Sequence, residues 1–96
     1  MKPILLTLAM LALVAGQATW YAWRPGQAAA GPALRRALGP HWRGQTVTVC
    51  SHGRCVRATL TDWCACGAAR VIDLDVRLFA RLASPSRGVI EVTVSR

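Results

Sequence analysis

The sequence predicts a small all-β domain, a barrel of five or six short strands with two short helices, behind an N-terminal apolar leader. Three observations carry that expectation. An apolar run opens the chain, a two-residue alternation sets in from Gln45, and two short helical patterns each meet a stop signal. The 96 residues allow one domain at most, which excludes a multidomain enzyme or a self-sufficient nucleotide-binding fold.

The leader comes first in the chain. Met1-Lys2-Pro3 precedes residues 4–14, which are apolar apart from Thr7, and Ala15-Gly16-Gln17-Ala18 follows. This is the layout of a secretory signal peptide cut after Ala18, with small Gly16 and Ala18 at the two positions a signal peptidase reads. Residues 1–18 are then leader, and residues 19–96 form a 78-residue domain. The alternative is an uncleaved anchor, because weak apolar character continues through Trp20-Tyr21-Ala22-Trp23 to about the 20 residues a membrane span requires. Gln17 stands where a lipoprotein would carry its acylated Cys, so no lipid anchor is expected. A secreted, periplasmic or wall-associated product follows, touching a membrane only through an uncleaved leader.

Residues 18–23 form an aromatic segment with strand propensity, which Arg24-Pro25-Gly26-Gln27 ends as a turn. Residues 28–39 hold a short helix, with Pro32 near its first turn and Gly39-Pro40 as its stop. Thr46-Val47-Thr48-Val49-Cys50 and Cys55-Val56-Arg57-Ala58-Thr59-Leu60-Thr61 then flank Ser51-His52-Gly53-Arg54 as a β-hairpin with a four-residue loop. That loop sets Cys50 opposite Cys55, Val49 opposite Val56, Thr48 opposite Arg57 and Val47 opposite Ala58, leaving one face apolar and the other polar. Residues 62–69 are a loop rich in Cys, Gly and Ala. Val71-Ile72-Asp73-Leu74 is a short strand leading into Asp75, the N-cap of a helix whose Val76, Phe79 and Leu82 share one face. Ser84-Pro85-Ser86-Arg87-Gly88 breaks that helix, and residues 89–94 alternate as a final strand.

A domain this small usually needs a covalent staple, and four cysteines in an exported chain can supply one. The hairpin register places Cys50 and Cys55 directly across from each other, where their Cβ separation suits a disulfide. Cys64-Ala65-Cys66 would close a very small, strained ring, so a free dithiol or a swapped connectivity stays open for that pair. A four-Cys zinc site fits poorly, because zinc knuckles favour two to four intervening residues. No metal and no cofactor are expected.

Charge narrows the function classes. Twelve basic residues against four acids leave +8, and losing the leader removes the single Lys, so the domain carries eleven Arg and a charge of +7. The arginines are dispersed from Arg24 to Arg96, and only Arg35 and Arg36 are adjacent. With an export signal in front of them, they point to anionic cell-wall polymers and away from nucleic acid. Ser-His-Asp order, a phosphate-binding Gly loop and H-E-x-x-H are all missing, and His41 and His52 lie in predicted loops. Three of the four acids, Asp62, Asp73 and Asp75, fall within 14 positions. Asp73, flanked by Ile72 and Leu74, is expected to be partly buried and to hold its proton towards neutrality; a structural acceptor for loop N–H groups is the plainer reading of it.

Thr61-Asp62-Trp63-Cys64, Arg70-Val71-Ile72-Asp73-Leu74-Asp75, Leu78-Phe79-Ala80-Arg81-Leu82 and Gly88-Val89-Ile90-Glu91-Val92 together resemble the double-psi β-barrel of the rare lipoprotein A family of septal lytic transglycosylases. The pattern is also similar to the barrels of expansins and barwin. Ala18-Thr19-Trp20-Tyr21-Ala22 looks like the first strand of the same families, so the resemblance spans the whole 19–96 segment. It implies a six-stranded barrel crossed by a polysaccharide groove. It also implies that Asp73 is the catalytic acid with Asp62 beside it, and that Thr19, Trp20 and Tyr21 line the groove, to which we add Trp63 next to Asp62. The chain departs from the lipoprotein family in lacking the lipobox Cys and in carrying Pro32-Ala33-Leu34-Arg35-Arg36 in place of T-A-A-H. Trp63-Cys64-Ala65-Cys66 replaces R-G-P-F and lies closer to the expansin side.

The resulting expectation is a small monomeric wall-active protein. As a lytic transglycosylase of peptidoglycan it would need one carboxylic acid, which protonates the leaving glycosidic oxygen and then helps the sugar's own 6-hydroxyl close a 1,6-anhydro ring; a hydrolase would ordinarily need a second carboxylate. The alternative is a non-catalytic module that binds or loosens peptidoglycan or another wall polysaccharide through the same groove.

Overall fold

The computed structural model describes residues 12–67 and 69–96, so most of the expected leader and its apolar helix fall outside the described residues. Six strands, β1 (Val14–Tyr21), β2 (Gln27–Ala30), β3 (Thr46–Ser51), β4 (Arg54–Trp63), β5 (Arg70–Asp75) and β6 (Ile90–Ser95), close a barrel in the order β1-β5-β2-β4-β3-β6. The β1–β5 and β2–β4 pairs are parallel and the other four antiparallel. Two short helices, α1 (Pro32–Leu38) and α2 (Val76–Leu82), and a 3-10 turn at Pro85–Arg87 complete the domain.

The β3–β4 hairpin has the expected register, from Val47↔Ala58 to Cys50↔Cys55. One further pair, Ser51↔Arg54, shortens the loop to His52 and Gly53, both at positive φ (48° and 82°), as the twist of a two-residue hairpin turn requires. Cys50 and Cys55 are disulfide-bonded with Cα atoms 4.1 Å apart, and Cys64–Cys66, left open by the sequence, is bonded as well.

Alternation places Val47, Val49, Val56, Ala58, Leu60, Ile72, Leu74, Val92 and Val94 inside the barrel with Ala18, Ala28 and Ala30. Each buried Val, Leu or Ile is worth about 1.5–3 kcal/mol of transfer free energy, so this interior is the main stabilising term. Helix α1 adds Leu34 and Leu38, and α2 adds Leu78, Phe79 and Leu82. Asp75 caps α2 as expected, its Oδ1 accepting from the Arg77 N–H at 3.2 Å and pairing with the Arg77 guanidinium at 3.0 Å.

Three boundaries and one helix face differ from the sequence expectation. Gln27–Ala30 is a strand, not the start of the helix: alanine favours helices locally, but here Ala28 and Ala30 fill the crowded interior between β5 and β4. Asp62 and Trp63 belong to β4 and not to the loop, because parallel pairing with Ala29 and Ala30 extends the strand. Leu78, and not Val76, joins Phe79 and Leu82 in the core. Finally, β1 begins at Val14 and not at residue 18. Its pairing with β6 consists of Val14↔Val94, Ala15↔Thr93, Gly16↔Val92, Gln17↔Glu91 and Ala18↔Ile90, all within residues assigned to the leader. A Cβ at Gly16 would lie 2.7 Å from the Ala69 carbonyl oxygen and 2.8 Å from Val71 Cγ1, so the close approach of β1 to the start of β5 needs glycine there.

Candidate functional site

Directly paired residues on neighbouring strands point to the same side of a sheet. Thr19 on β1 pairs with Asp73 on β5, Asp73 with Ala29 on β2, and Ala29 with Asp62 on β4. The four side chains therefore make one row across the outer surface of four strands, and a methyl group between the two carboxylates leaves the line unobstructed. With strands about 4.8 Å apart, the Asp73 and Asp62 backbones are roughly 10 Å apart.

Each polar member of the row is held by a hydrogen bond. Thr19 Oγ1 donates to Asp73 Oδ1 at 2.9 Å. Tyr21 Oη donates to Asp62 Oδ2 at 3.3 Å, and the Trp63 N–H donates to Asp62 Oδ1 at 2.9 Å. Tyr21 is stacked on Trp23, with centroids 5.5 Å apart and planes 10° from parallel. Trp23 Nε1 donates to Thr61 Oγ1 at 3.2 Å, and that hydroxyl donates on to Gln27 Oε1 at 2.8 Å. An aromatic wall thus stands beside the acid row, fixed at its far edge to β4. Trp63, which follows Asp62 and ends β4, points to the other side of the strand with 53% of its surface exposed, and the Arg35 guanidinium from α1 stacks over it at 5.4 Å.

Burial raises the Asp73 carboxyl above the ordinary aspartate range; the Thr19 hydrogen bond and the Arg70 charge oppose this, and the Asp62 charge adds to it. The Tyr21 phenol is also raised, first by burial and then by the charge and hydrogen bond of Asp62, so it stays a neutral donor. The row and its neighbour Tyr21 therefore gather a hydroxyl, two carboxyl groups and a phenol on one outer surface. Among the described residues, no group of three His, Cys, Asp or Glu side chains is placed to hold a metal ion.

Thr19, Tyr21, Asp62 and Asp73 of the sequence-derived set come together, while Trp63, one residue after Asp62 on β4 and paired with Ala30, alternates away from the row. Trp20 does not join them either: it alternates to the other side of β1, and its Nε1 donates to the Pro85 carbonyl at 2.8 Å. Cys64–Cys66 follows Trp63 directly and shapes the rim, while Cys50–Cys55 closes the β3–β4 hairpin elsewhere in the barrel. Trp23, Thr61, Gln27 and Arg35 were not singled out in advance. Trp23 continues the every-second-residue pattern of Thr19 and Tyr21, a signal available in the sequence, whereas nothing local marks Arg35 or Ala29.

The closed six-stranded barrel, with its two parallel pairs and two short helices, is an expansin-like double-psi β-barrel. No protein-family model matches the chain, and no curated protein sequence does. Among solved structures it is similar to the Streptomyces papain inhibitor, at 27% identity over 85% of this chain and 91% of that one, with a TM-score of 0.65. It is also similar to an expansin of Clavibacter michiganensis without ligand, at 20% identity and a TM-score of 0.69, and to a mutant of that expansin in complex with cellohexaose, at 19% and 0.68. In both expansin comparisons the match covers 83% of this chain and 48% of the other, so this chain spans about half of the expansin's length.

Proposed function

We propose that this protein is an exported module that binds a wall polysaccharide along the Thr19–Asp73–Ala29–Asp62 row without cleaving it. The observation that carries this reading is the row itself, walled by the Tyr21–Trp23 stack. Sugar hydroxyls can bond to the carboxyl groups, and a pyranose C–H face can lie on an aromatic ring. The fold supports the same reading, since an expansin of this fold is known in complex with cellohexaose. Export agrees with four cysteines that are all paired, a state kept in oxidising compartments. Because residues 14–18 complete β1, we set the end of the leader ahead of Val14.

The test is retention on insoluble peptidoglycan and on cellulose, with the soluble fraction examined by mass spectrometry. We expect retention without released product, weakened by Tyr21→Ala. Anhydro-muropeptides that disappear in Asp73→Asn would replace binding with lytic transglycosylase activity, a chemistry the raised Asp73 carboxyl could serve as acid.

A second reading, inhibition of a cysteine protease, is favoured by the likeness to the Streptomyces papain inhibitor across 91% of that chain. Stoichiometric inhibition of papain, with no retention on any glycan, would put it first.

A further inference from the structure

Three tryptophans around the end of β4 each carry an arginine. Arg24 lies over Trp23 at 5.3 Å, Arg35 over Trp63 at 5.4 Å and Arg43 over Trp42 at 4.6 Å. All three pairs are tied to the same four residues of chain. Trp23 bonds to the Thr61 hydroxyl, Arg43 donates to the Thr61 carbonyl, and Arg35 donates to the Cys64 carbonyl at 3.1 Å beside Trp63. The Arg35–Trp63 pair leads into an open hollow of about 370 Å³ lined by Pro32, Arg35, Arg36, Gly39, Pro40 and Trp42.

These guanidinium groups retain their charge for a ligand. Among the described residues the one ion pair is Arg77–Asp75, so Arg24, Arg35 and Arg43 have no carboxylate partner. Rings alone would suffice for a neutral sugar chain. A planar guanidinium fork beside each ring adds what a carboxylate recognises, two parallel charge-assisted N–H donors.

Resting on the groove reading above, we propose that the bound polymer is an acidic polysaccharide, its carboxylates meeting the outward N–H edges of Arg24, Arg35 and Arg43, each held in place by the tryptophan ring beneath it. Arginine–aromatic clusters also bind single-stranded nucleic acid, but four paired cysteines belong to an oxidising, extracytoplasmic setting where wall polymers are the abundant polyanions.

The experiment is titration calorimetry of the full chain with polygalacturonate, carboxyl-reduced polygalacturonate, cellohexaose and oligo(dT), at low and raised salt. Two triple variants of equal net charge are compared: Arg24→Gln/Arg35→Gln/Arg43→Gln, and Arg54→Gln/Arg57→Gln/Arg96→Gln at the other side of the barrel. We expect the native protein to prefer polygalacturonate to its reduced form by about tenfold, a preference that the first triple abolishes and the second leaves within about twofold. Arg24→Gln/Arg43→Gln, which spares the Arg35 bonds to the backbone, should lose most of the preference if the first triple does not fold. Equal loss in both triples, equal affinity for the charged and reduced polymers, or tighter binding of oligo(dT) would each overturn the proposal. Equal affinity for the two polymers with binding abolished in Tyr21→Ala leaves the groove reading standing without this extension. Binding of none of the glycans overturns both.

Discussion

The β3–β4 hairpin and the acid row use the outer face of one barrel in opposite ways. In the hairpin region, β3 and β6 alternate strictly; the outward Glu91 and Thr93 of β6 are exposed, and the outward Thr46, Thr48 and Cys50 of β3 are bonded to the residues opposite them on β4. Around the row, the outward residues Thr19, Asp73 and Asp62 are buried or half-buried and occupied by hydrogen bonds under an aromatic wall. Each region also has its own disulfide. Cys50–Cys55 joins residues directly opposed in a ladder, so it holds two strands together, whereas Cys64–Cys66 spans a single residue and holds only the rim of the groove. The disulfide across paired strands belongs to the first arrangement, and the proposed recognition to the second. Strand β4 belongs to both regions, and the β1–β6 seam joins them a second time to close the barrel.

That seam gives the most severe way to break the comparison. A chain starting at Thr19 lacks all five β1–β6 pairs and leaves two strand edges open, so we expect it to show no cooperative thermal transition, while a chain starting at Ala12 folds. Circular dichroism melts of the two chains test this, and an intact melt for the shorter one would return the leader boundary to Ala18. Within the hairpin, Val49→Ala removes methyl groups from a fully buried site and should cost about 1–3 kcal/mol in chemical denaturation while leaving glycan retention per folded molecule unchanged. Trp63→Ala should do the reverse, since the indole is largely exposed: stability within about 0.5 kcal/mol of native and retention reduced severalfold. Parallel behaviour of the two variants would erase the distinction between the regions.

The smallest expected effect is a pH dependence. The folded-state pKa of Asp73 is raised above its unfolded value, so the folded chain holds the extra proton between the two values. Stability is therefore greater at pH below that window and declines as pH rises through it. Asp73→Asn should remove this decline, so its melting temperature gains on the native protein across the window, read from melts between about pH 3 and 8. A variant whose melting temperature tracks the native protein at every pH would show that burial does not perturb the carboxyl.

Legibility in the sequence follows the same division. The hairpin pairs Val47↔Ala58 through Cys50↔Cys55 were readable because alternation and one short turn fix a register between neighbours in sequence. Asp75 as a helix cap and the breaker at Ser84 and Pro85 were readable for the same local reason. Of the site, Thr19, Tyr21, Asp62 and Asp73 were readable through a family resemblance, but their alignment was not. The row depends on Ala29 lying between Asp73 and Asp62, and three consecutive alanines look like helix until two distant strands claim them. Trp20 was grouped with Thr19 and Tyr21 because the resemblance was carried over to the first strand as a block, whereas consecutive residues of a strand face opposite sides.

The sequence by itself determined the class of protein: one small disulfide-bearing β domain, basic, with three of its four acids within residues 62–75 and Asp75 as the cap of α2. The tertiary structure decided which strands are neighbours, where β1 and β4 begin and end, and which side chains share the groove. The physical reason is sequence separation. Turns, caps and hairpins are settled by residues a few positions apart, whereas the parallel pairs β1–β5 and β2–β4 join segments more than thirty positions apart, and their choice rests on how the whole interior packs.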